Sequence, residues 1–68
     1  MATITVINPF SGAQVERDVS SVDPQAIANL MTDEELYACE GQGATDAEWI
    51  EYVAQHLGAE RMGVLVLS

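Results

Sequence analysis

The chain has 68 residues, of which 49% are hydrophobic, and it sets eleven acids against two arginines with no lysine, for a formal net charge of −9. A chain this short buries only about 60% of the surface it exposes when unfolded, so one domain spanning residues 1–68 is expected. Its apolar share and positive mean hydropathy argue against intrinsic disorder. The negative surface repels phosphate backbones and anionic lipid, which argues against direct nucleic-acid or membrane binding and favours basic partners.

No segment approaches the ~20 apolar residues of a membrane span, and the N-terminus lacks the basic, apolar and small-residue succession of a secretory signal. Cys39 is the single cysteine, so no internal disulfide asks for an oxidising compartment. The cytoplasm is the expected location.

Residues 2–8 interleave Ile4, Val6 and Ile7 with the β-favouring Thr3 and Thr5, the pattern of a first strand. Asn8-Pro9-Phe10-Ser11-Gly12 supplies turn chemistry. Ala13, Val15 and Val19 then share one parity while Gln14, Glu16 and Asp18 share the other, so a half-buried second strand and a hairpin are predicted. Asp23-Pro24 opens a short helix whose Ile27, Leu30 and Met31 fall at i, i+3 and i+4. Two capping boxes follow, Thr32 with Glu35 and Thr45 with Glu48, and they predict helices over 33–40 and 46–57 ended by Gly41 and Gly58. On the longer helix Ile50, Val53 and Leu57 form an apolar stripe flanked by Trp49 and Ala54. Val64-Leu65-Val66-Leu67 lacks alternation and follows Gly63, which suits a covered C-terminal strand beside the first. The fold expected is therefore α+β: a three-stranded, largely antiparallel sheet, made of the N-terminal hairpin and the C-terminal strand, packed on two or three short helices.

Charge is unevenly placed. Residues 1–32 hold three acids and one arginine, 52–68 one of each, and 33–51 seven acids with no base. The seven are Asp33, Glu34, Glu35, Glu40, Asp46, Glu48 and Glu51. Capping explains Asp33, Glu35, Asp46 and Glu48. It does not explain the missing lysines, because ordinary surfaces mix both signs. A halophilic origin would remove lysine without any partner. The reading pursued is a binding face for a basic surface, with Tyr52 beside Glu48 as an aromatic anchor.

Other chemistry finds less support. Asp33-Glu34-Glu35 points three carboxylates in different directions on a helix, unlike a calcium loop, and no carboxylate pair is set up for hydrolysis. No metal, cofactor or catalytic residue is expected. His56 reads as a partly buried structural histidine near Trp49, with no nucleophile in register. Cys39 reads as a small buried or half-buried apolar residue, and Trp49 as a core anchor. Tyr37 has no settled phase, and Phe10 at the hairpin tip either serves a binding face or tucks under the turn.

The strand ending in Asn8-Pro9, then Met31-Thr32-Asp33-Glu34-Glu35-Leu36, then Thr45-Asp46-Ala47-Glu48-Trp49, resembles the small acidic proteins carried by phages and mobile elements, a group that includes anti-CRISPR and anti-restriction inhibitors. The resemblance implies a stoichiometric inhibitor, acting in the host cytoplasm, that occupies a basic nucleic-acid-binding surface of a host nuclease complex. That group shares no common signature, so it carries over no functional residue. The alternative is an assembly subunit or small homodimer that associates through a sheet edge or an apolar face.

Overall fold

The computed structural model describes residues 2–67. β1 (Thr3–Ile7) and β2 (Gln14–Asp18) pair antiparallel, with Ile4 opposite Arg17, Thr5 opposite Glu16 and Val6 opposite Val15. The alternation does what its period requires: Ile4 and Val6 are buried and Val15 half-buried, while Thr3, Thr5, Gln14 and Glu16 stay exposed. The turn is built by Asn8, whose Oδ1 accepts from Phe10 N at 2.8 Å and whose carbonyl accepts from Gly12 N at 2.8 Å. Gly12 takes φ 77° there, a conformation that costs glycine nothing.

Asp18 caps a single 3₁₀ turn, Val19–Ser21, by accepting from Ser20 N at 2.9 Å. Asp23 then caps α1 (Pro24–Leu30) by accepting from Gln25 N at 3.0 Å. Ile27 of α1 and Met31 at its C-cap are buried, whereas Leu30 is 54% exposed. The i, i+4 pair therefore faces the core, and Leu30, expected on that stripe, turns outward.

α2 (Asp33–Cys39) opens with a complete capping box: Glu35 N donates to Thr32 Oγ1 at 3.2 Å and Thr32 N donates to the Glu35 carboxylate at 2.9 Å. α3 (Asp46–Leu57) opens on Thr45, which accepts from Glu48 N at 3.2 Å; its hydroxyl donates to Glu48 Oε1 at 3.4 Å in place of the reciprocal backbone bond. Ile50 and Val53 of α3 are buried. Each such aliphatic side chain stabilises the fold by about 1.5–3 kcal/mol.

The third strand expected at the C-terminus does not exist. Residues 59–67 form α4 (Ala59–Leu67), and the sheet of the described residues has two strands. Three features outweigh the β-branched Val64 and Val66. Gly58 both ends α3, at φ 90°, and accepts from Met62 N at 3.0 Å, so a new helix starts without a linker. Ala59-Glu60-Arg61-Met62 are good helix formers. Met62 and Leu65, at i and i+3, then enter the core together. The core lies between the apolar face of the hairpin and the helices, with Val6, Ile27, Ile50, Val53 and Met62 almost fully enclosed.

Candidate functional site

The acidic residues sit on α2, α3 and the loop joining them, and the sequence itself fixes how these parts meet. Trp49 Nε1 donates to the Cys39 carbonyl at 3.0 Å, tying the first turn of α3 to the last residue of α2. Gly43 packs in the loop at φ 81°, where a Cβ would lie 2.8 Å from the Trp49 backbone nitrogen. Glycine is required at that close approach. Cys39 beneath is buried, and burial first, then the Glu35 charge, pushes its thiol pKa up. An apolar thiol of this kind fills space.

Asp33, Glu34, Glu40, Asp46 and Glu48 are exposed and Glu51 is half-buried. Asp33 and Glu40 share a shallow hollow of ≈ 500 Å³ with Leu36, Tyr37 and Trp49. Glu48, Glu51 and Tyr52 line a second hollow with Gly43 and Gln55. Asp46 lies on the other side of Trp49, beside Pro24 and Ala28. The carboxylates thus surround Trp49 and the glycine loop without converging on one point.

Glu35 stands apart from the other six. Arg61 Nε donates to its Oε2 at 2.8 Å and Arg61 Nη2 to its Oε1 at 2.9 Å, a two-pronged ion pair between α4 and α2. Arg61 Nη2 also donates to the Leu30 carbonyl at 3.2 Å. The guanidinium, helped by the Thr32 N–H, holds the Glu35 carboxyl at about 2, well below the usual carboxylate range. Its charge is balanced inside the fold, so Glu35 is a structural residue first. Among the described residues this is the one ion pair. Arg17 lies on β2, opposite Ile4.

The Glu40 carboxylate, unlike those of the two helix starts, caps no helix N-terminus. Glu40 occupies the C-cap of α2, and that helix has no basic residue in its last turn. A carboxylate there faces the negative end of the helix dipole, which costs about 0.3–1 kcal/mol. Such a local conflict marks a candidate for function.

The aromatics are distributed differently from the sequence reading. Tyr52 is half-buried and stacks on His56 with ring centroids 5.8 Å apart and planes 12° from parallel. His56 is exposed, which corrects its expected partial burial. Tyr37, whose phase the sequence left open, is 82% exposed beside Asp33 and Glu40, and Phe10 is equally exposed at the hairpin tip. Tyr37 was findable: it lies four residues after Asp33 and three before Glu40, on one face of α2.

Among the described residues no three His, Cys, Asp or Glu side chains are grouped to hold a metal ion, and no helix is long and apolar enough to cross a membrane. Compared with protein-family models, curated proteins and solved structures, the chain matches none.

Proposed function

We propose that this protein is a small acidic binding module that occupies the basic, nucleic-acid-binding surface of another protein, in the manner of an inhibitor carried by a phage or mobile element. The observation behind the reading is the set of carboxylates on α2, its loop and α3 that no cation of the described residues neutralises, while Arg61 is committed to Glu35. Leaving like charges unbalanced strains a small fold, so they call for a compensating role. B-DNA carries one negative charge per ~1.7 Å of axis, and a basic groove shaped for it attracts a dense array of carboxylates equally well.

In this reading Glu34, Glu40, Glu48 and Glu51 make the main contacts, Asp33 and Asp46 add to the field, and Tyr37 supplies the exposed aromatic that a hot spot needs. Tyr52, held against His56, contributes at the edge of the same face. Glu35 acts by fixing α2 on α4.

The test is affinity capture from a bacterial lysate with the wild type and with a Glu48→Lys/Glu51→Lys variant, at low and at about 0.5 M salt, where screening shrinks to a few ångströms. Capture of a nucleic-acid-binding protein by the wild type alone, and at low salt alone, is the expected result. A salt-resistant partner held equally by the variant contradicts the reading and points to an assembly role.

A further inference from the structure

The antiparallel alternation decides which peptide groups of β1 are already used. Asn8 N donates to the Ala13 carbonyl at 2.8 Å and Val19 N donates to the Ala2 carbonyl at 3.0 Å. In the register that sets Thr5 opposite Glu16, the hydrogen-bonded positions of β1 are therefore the even-numbered ones. Ile4 and Val6 exchange bonds with β2, and the N–H and C=O groups of Thr3, Thr5 and Ile7 point to the opposite edge. α4 covers the Ile7 end of that edge: Gly63 is buried there, so close that a Cβ would overlap the Ile7 carbonyl oxygen. The Thr3–Thr5 end is not covered in this way. Both threonines are exposed, and among the described residues no hydrogen bond is made to their outward peptide groups.

In front of them lies a groove of ≈ 510 Å³, with Thr3 and Thr5 on one side and Glu51, Ala54, Gln55 and Ala59 on the other. The two alanines keep the helical wall short, which leaves room for a peptide backbone beside β1. An open strand edge with unpaired N–H and C=O groups is a template for another chain.

We propose that the Thr3–Thr5 edge accepts an extended, lysine- or arginine-bearing segment of the partner protein as an added third strand. The choice of a basic occupant rests on the acidic-face reading above and on charge at this groove. Glu51 stands in its wall, and Glu16 lies directly across from Thr5 on the exposed face of the hairpin. Side chains alternate along a strand, so basic residues of the added segment reach Glu51 on one side and Glu16 on the other. A second copy of this chain would instead bring −9 against −9.

The experiment uses the full chain and a short capped peptide of repeating Lys-Lys-Val-Val, which puts lysines on both faces of an extended strand, with a control peptide in which prolines replace the valines. Affinity is followed by fluorescence anisotropy, and the binding mode by hydrogen exchange of individual amides. Expected are binding at low salt, slowed exchange at the Thr3 and Thr5 amides, and at least about tenfold weaker binding of the proline control. Thr5→Pro, which removes an outward N–H and leaves the β2 ladder intact, is expected to cost about tenfold as well. Binding that perturbs α2 and α3 but leaves the Thr3 and Thr5 amides unprotected overturns the strand addition and leaves the acidic face standing. Absence of any binding at low salt overturns both. A dimer in sedimentation that protects the same two amides overturns the basic occupant in favour of a second copy.

Discussion

At Gly63 a single hydrogen atom decides whether α4 can lie on β1. Alanine at a helical position is normally worth about 1 kcal/mol over glycine, but here its Cβ would meet the backbone of Ile7, which cannot swing aside as a side chain can. The clash wins. Gly63→Ala is expected to destabilise the protein by about 3 kcal/mol, a large part of what a domain of this size has, and a urea titration followed by circular dichroism reads the loss. Glu35 gives a second residue-scale expectation. Its carboxyl is held at about 2 against an ordinary value of 4.5, so the ion pair stabilises the fold fully above pH 4.5, and that stabilisation is lost as pH falls through about 2. Since the pair is partly exposed and screened, its contribution is about 1 kcal/mol. Arg61→Gln should cost that amount at pH 7 and much less near pH 2; an equal cost at both values, measured by thermal unfolding, would show that the pair is not the source. Some residues read correctly from sequence alone, Cys39 and Ile50 as buried among them. Leu30 did not, because its helix has too few turns for periodicity to fix which of two adjacent apolar residues turns inward. His56 could not be placed either, as its stacking on Tyr52 depends on rotamers that spacing does not encode.

Among the elements, the helix starts were the most legible parts of the sequence, because a cap is chemistry confined to four residues. Thr32 forms the full capping box its spacing implies and Thr45 only the half in which its hydroxyl accepts from Glu48 N, and replacing either by alanine is expected to cost about 1 kcal/mol. The hairpin was legible for the same reason of locality. The C-terminal element was not: a run of four apolar residues fits a covered strand or the end of a buried helix equally well. The helix start at Gly58 and the helix-forming residues 59–62 tip that balance, and tertiary contact completes it through the seating of Gly63 on Ile7 and the joint entry of Met62 and Leu65 into the core. The site shows a comparable split. The acidic face was visible as composition, but the commitment of Glu35 to Arg61, 26 residues away, was not. Because Glu40 opposes the dipole of α2, Glu40→Lys is expected to stabilise the fold by about 0.5 kcal/mol while weakening partner capture. If binding is unchanged in a variant whose melting temperature has risen, Glu40 is not part of the contact.

Over the whole molecule, a net charge of −9 on a slab with extents of 32 × 28 × 17 Å means that the folded state works against its own field. Raising salt from low to about 0.5 M should therefore stabilise the free protein by about 1 kcal/mol, or roughly 4–8 °C in melting temperature, while the proposed acidic-face contact should weaken. These opposite responses separate self-repulsion from partner attraction. In the function proposed above, the carboxylate array on α2 and α3 takes the place of nucleic acid on a basic surface. The most direct measurement is a competition: labelled nucleic acid bound to the captured partner is titrated with this protein at physiological salt and followed by anisotropy. Displacement with one protein per site is expected, with at least about tenfold weaker displacement by the Glu48→Lys/Glu51→Lys variant. Simultaneous binding of nucleic acid and protein to the same partner would contradict it.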